Sequence, residues 1–138
     1  MSSRSLLPWF LVALIFGIGV INAVALRYHL FYTYKWLDVP MHFFGGLWVS
    51  LFVLWYHFVF RHKHVRLRGT RSALTFALSA TLTVALGWEL FEYAVNAYIV
   101  PSRYDMIDTF QDLLLGMAGA LIGARIFIYK THKKHIAQ

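Results

Sequence analysis

Four apolar stretches, at residues 6–26, 39–60, 72–98 and 107–129, are each long enough to cross a lipid bilayer, and they decide what this chain can fold into. Crossing about 30 Å of hydrocarbon takes about 20 residues of helix. Only helices and closed barrels satisfy every backbone group there. Period-two alternation is absent, which excludes a membrane β-barrel. A hydrophobic content of 59% is likewise too high for a soluble domain. With 138 residues and no internal repeat or linker apparent, the expectation is all-α: a single polytopic domain over residues 1–138, four transmembrane helices in a compact bundle. The first stretch, between Arg4 and Ala23-Val24-Ala25, imitates a signal peptide. Its apolar run exceeds a signal core and the next span follows after a short polar loop, so it reads as a retained helix.

Orientation follows from the 13 basic residues, because cytoplasmic loops collect Lys and Arg. Arg4, the loop with Arg61, Lys63, Arg66, Arg68 and Arg71, and the tail with Arg125, Lys130, Lys133 and Lys134 fall on one side. Arg27, Lys35 and Arg103 fall on the other. Both termini are therefore expected in the cytoplasm, with the chain in the cytoplasmic (inner) membrane. Trp9, Trp55 and Tyr129 would mark the inner boundary, and Tyr28, Trp36, Tyr98 and Tyr104 the outer one. The basic loop reads as topogenic and lipid-facing rather than nucleic-acid-binding, since each of its charges lies close to a membrane segment. His62, His64, His132 and His135 could touch a metal together, although scattered interfacial histidines more often have no special role.

All six acids, Asp38, Glu89, Glu92, Asp105, Asp108 and Asp112, fall in the half expected to face outward. The inside-positive bias does not demand this, because acids contribute little to topology. Residues three or four apart share a helix face. Asp38 and His42 form one such pair with Gly45 and Gly46 beneath, Glu89, Glu92 and Asn96 a second stripe, and Asp108 and Asp112 a third above Gly116, Gly119 and Gly123. Those glycines read as helix packing that lets backbones approach closely. Asp38 before Val39-Pro40 is also compatible with an N-cap, Asp105 with a capping box, and His42 with a hydrogen-bonded core histidine.

Glu89, Glu92 and Asp112 are harder to explain as caps, because they sit inside apolar runs such as Ala85-Leu86-Gly87-Trp88 and Leu113-Leu114-Leu115. Three unpaired ionised carboxylates there would cost on the order of 8–10 kcal/mol. Protons, a basic side chain or a bound cation must neutralise them. There is no cysteine, so a metal site would have to use His nitrogen and carboxylate oxygen.

At these residues the sequence resembles the VanZ-like membrane proteins and, more closely, the YjdF-type inner-membrane family, over residues 37–124. The matching positions are Asp38 and His42 entering one helix, Glu89 late in the next, Pro101 and Arg103 in a turn, and Asp108, Asp112 and Gly116. Glu92 and Asp112 stand where the VanZ pattern has glutamine and asparagine, and both agree with the YjdF-type pattern, read here as Trp-Glu-Leu-Phe-Glu and Asp-Thr-Phe-Gln-Asp. VanZ is associated with teicoplanin resistance; the YjdF-type family carries no firm biochemical assignment.

Three functions are compatible with the acids. The first is a metal-dependent hydrolase or transferase acting on a lipid headgroup or lipid-linked envelope substrate. There His42, Glu89, Glu92 and Asp112 would bind Zn²⁺, Mn²⁺, Fe²⁺ or Mg²⁺, Asp38 or Asp108 would orient the imidazole or act as base, and Arg103 would clamp a phosphate. The second is a proton or cation carrier using the same carboxylates. The third is an accessory protein that binds lipid or a partner helix. The expected partners are the bilayer and a lipid or lipid-linked substrate, with no nucleic acid; self-association is compatible with every reading.

Overall fold

An unpaired backbone group in hydrocarbon costs several kcal/mol, and this chain answers with helix almost throughout. In the computed structural model, which describes residues 3–61, 69–98 and 106–136, the order is α1 (Ser3–Arg27), α2 (Leu30–Thr33), a 3₁₀ turn (Lys35–Leu37), α3 (Asp38–Trp55), a π-helical stretch (Tyr56–Arg61), α4 (Thr70–Tyr98) and α5 (Met106–Ile136). Four helical segments, Leu6–Arg27, Lys35–Phe60, Thr70–Val95 and Met106–Thr131, are long and apolar enough to cross a membrane. They match the stretches expected from hydropathy. Helix α5 continues well past the expected end at 129 because nothing in Lys130–Ile136 breaks a helix.

The bundle is built around α3 and α5, which make its most extensive contact. Small residues make that contact close. Gly46 lies against the backbone of Gly116, Gly119 against the Phe43 carbonyl, and Gly123 against Leu47, Leu51 and Ser50. The fully buried Ser50 hydroxyl donates to the Ala120 carbonyl at 2.8 Å. Gly46 meeting Gly116 and Ser50 meeting Ala120 fix one register, in which α3 and α5 run parallel with a constant offset of 70 residues. Without a hydrophobic driving force between helices in lipid, such close backbone packing and interhelical bonds hold them together.

Helix α4 returns between them and packs on both, burying Ala73 and Ala77 in the core with Leu51, Leu54 and Phe127. Helix α1 lies against α3, where Trp48 Nε1 donates to the Leu11 carbonyl at 2.8 Å. Its other face exposes Trp9, Phe10 and Phe16, as a lipid-facing surface requires. His29, with φ 54°, ends α1 in a left-handed turn, and α2 with the 3₁₀ turn leads the chain into α3. The reading of Asp38 as an N-cap is corrected here. Leu37 occupies that position with no side-chain cap bond, and Asp38 is already helical, which frees its carboxylate for His42 one turn on.

Candidate metal centre

Three helices each bring acids to the end of the bundle opposite both chain ends. On α3 the four-residue step from Asp38 to His42 places the carboxylate over the ring, with Asp38 Oδ1 3.4 Å from His42 Nε2. The parallel register with α5 places Asp112 across from His42, and Asp112 Oδ2 lies 3.7 Å from the same Nε2. From α4, Glu89 and Glu92 bring carboxylate oxygens within reach of the imidazole. The result is two triads sharing one histidine: Asp38, His42 and Asp112 in the first, His42, Glu89 and Glu92 in the second. Within each triad the donor atoms all lie within 4.8 Å of one another.

The site is set into the bundle yet open at its rim. Glu89 and Asp112 are only 7% and 5% exposed, whereas the Asp38 side chain is 31% exposed. Among the described residues no Lys or Arg forms an ion pair with these four carboxylates. One ring nitrogen can carry one proton and donate to one acceptor, so Nε2 cannot satisfy both Asp38 and Asp112. Separations of 3.4 and 3.7 Å are also longer than a good N–H···O bond, about 2.7–3.2 Å.

Trp88 is a participant that sequence reasoning passed over. Its indole Nε1 donates to Glu92 Oε1 at 2.8 Å, fixing one carboxylate oxygen. The four-residue spacing on one helix face was the available signal. Partners that hold a ligand in place are commonly worth 10–100-fold in metal affinity. If Glu92 is a metal ligand, Trp88→Phe is expected to weaken Zn²⁺ or Mn²⁺ binding by about tenfold while leaving the helical circular dichroism unchanged. Calorimetric titration of the two proteins checks this.

Of the residues expected at the site, the structure thus brings Asp38, His42, Glu89, Glu92 and Asp112 together. Asp108 is exposed, one turn before Asp112, and belongs to neither triad. Arg103, Asp105 and the basic loop at 62–68 lie outside the described residues, as do the side chains of Asn96, His132 and His135. No curated protein and no solved structure matches the chain. A family model described as "Predicted membrane protein (DUF2238)" does match, over residues 1–134, and the chain belongs to that family.

Proposed function

We propose that this chain is a VanZ-like, YjdF-type protein of the inner membrane that binds a divalent metal through His42, Glu89, Glu92 and Asp112 and acts on a lipid headgroup or lipid-linked envelope substrate. The observation that carries the reading is the pair of triads on one imidazole, inside candidate membrane spans and without a Lys or Arg partner among the described residues. Ionised carboxylates in hydrocarbon cost roughly 2.5–3.5 kcal/mol each, and a bound divalent cation offsets that cost for several at once.

Such an ion supplies Lewis acidity and an activated water at neutral pH. Asp38, beside His42 Nε2 and open to the rim, would take up a proton from the substrate side. Asp108 is exposed one turn before Asp112, where an incoming headgroup would pass. Arg103 would serve as the phosphate clamp. With both termini in the cytoplasm, as the distribution of basic residues favours, the site opens toward the outer leaflet.

A carrier needs a polar route to the opposite end. Three of the hydroxyls that could form one donate to backbone carbonyls instead: Ser50 to Ala120, Thr81 to Ala77 at 2.9 Å and Thr83 to Ser79 at 3.0 Å. The enzyme reading is therefore preferred. Purified protein stripped with chelator and titrated with Zn²⁺ or Mn²⁺ is expected to take up about one ion per chain. Failure of the wild type to bind any of Zn²⁺, Mn²⁺, Fe²⁺ or Mg²⁺ sinks the proposal. Cation flux into proteoliposomes that Glu92→Gln abolishes would favour a carrier instead.

A further inference from the structure

Helices α1 and α3 touch at one level and part at another. They meet where Leu11 accepts from Trp48, and toward the end that holds the carboxylates they leave a slot of about 260 Å³ between them. Ala13, Gly17 and Ile21 form one wall at steps of four, and Met41 and Phe44 line the other, with Leu37 at the mouth. Every residue lining it is apolar. A Cβ on Gly17 would meet nothing within 4 Å, so the absence of a side chain there helps keep the slot open. Both walls belong to candidate spans, Leu6–Arg27 and Lys35–Phe60, so the medium around the slot is hydrocarbon. Apolar walls of this kind gain dispersion contacts from a hydrocarbon chain that lies between them.

The size of the slot selects its occupant. From Ala13 to Ile21 is about 12 Å of helix, so 260 Å³ leaves a cross-section of roughly 20 Å². A helix about 10 Å across would need roughly 80 Å², so a helix of a second copy could lie over the slot but not within it. A single run of methylenes fits. On α3, the Leu37–Met41–Phe44 stripe lies one residue, about 100°, around the helix from Asp38 and His42. A chain seated in the slot therefore emerges beside Asp38, the most exposed member of its triad.

We propose that the α1/α3 slot holds one acyl chain of a membrane phospholipid and delivers its headgroup to the rim of the candidate metal centre at Leu37 and Asp38. Delivery to a metal rests on the function proposed above, whereas seating of the chain does not. The test uses the full chain reconstituted in phosphatidylethanolamine and phosphatidylglycerol vesicles, extracted in mild detergent and weighed by native mass spectrometry. Wild type is expected to retain one phospholipid per chain, and Gly17→Phe to lower the lipid-bound fraction at least fivefold. Gly19→Phe, on an exposed face where a Cβ also meets nothing, should behave as wild type. Gly17→Leu, a smaller plug, should give an intermediate loss and covers the case in which Gly17→Phe misfolds.

Equal retention in wild type and both Gly17 variants overturns the proposal, as does equal loss in Gly19→Phe. A wild-type dimer that Gly17→Phe dissolves also overturns it, by giving the slot to a second copy. Zn²⁺ uptake is measured in the same samples. Lipid retention that follows Gly17 in a protein binding no metal leaves the seating intact and removes only the metal centre.

Discussion

Replacing Gly46 with alanine is expected to lower thermal stability by about 10 °C and metal affinity by about 100-fold, a large effect for a single methyl group. A Cβ at Gly46 would overlap the Gly116 carbonyl oxygen and lie 2.6 Å and 2.8 Å from the Gly116 carbonyl carbon and Cα. All three are backbone atoms of a continuous helix, so relief comes only from moving α3 away from α5. Overpacking of this kind costs typically about 1–3 kcal/mol and more where backbone must shift. The same movement would carry His42 away from Asp112, whose facing positions follow from the seam one turn below. Gly45→Ala is the control, since a Cβ there meets nothing within 4 Å and alanine favours helix by up to about 1 kcal/mol. Gly45→Ala should match or exceed wild type in stability and bind metal normally. If Gly46→Ala behaves like Gly45→Ala, the glycine seam does not set the site.

The seam also shows what the sequence made legible and what it hid. Four spans could be read because a run of about 20 apolar residues has few other uses. The stripes of Asp38 with His42, Glu89 with Glu92, and Asp108 with Asp112 could be read because helical spacing is local. How one helix registers against another depends on packing between distant residues, and it went unread. Its trace is nonetheless present. Asp38, His42, Gly46 and Ser50 step by four along α3, and Asp108, Asp112, Gly116 and Ala120 step by four along α5, each 70 residues on. No repeat was apparent because the correspondence holds only at every fourth position, with the residues between free to differ. The offset explains why His42 faces Asp112 rather than Asp108. It does not explain how Glu89 and Glu92 reach the imidazole. That depends on the placement of α4, where Ala73, Ala77, Thr81 and Ala85 step by four toward Glu89 and form a small-residue stripe of their own.

Substituting His42 is expected to have the largest effect of any change at the site, because both triads use that one ring and each acid serves only one of them. Glu89→Gln should leave Asp38, His42 and Asp112 in place, and Asp112→Asn should leave His42 with Glu89 and Glu92. Each is expected to weaken Zn²⁺ or Mn²⁺ binding by 10–100-fold without abolishing it. His42→Ala should remove stoichiometric binding altogether, and Glu89→Gln combined with Asp112→Asn should approach the same result. Acidification should weaken binding in every variant that retains it, since protons and metal compete for the same carboxylate and imidazole atoms. His42→Lys separates the readings. If the imidazole serves only as a counter-charge locking acidic helices together, a permanent ammonium at that position preserves stability. If the imidazole is a ligand, His42→Lys keeps the fold and binds no metal, because a protonated amine offers no lone pair. Metal uptake by His42→Lys equal to wild type, or unaltered binding in both Glu89→Gln and Asp112→Asn, would remove the shared imidazole from the centre of the mechanism.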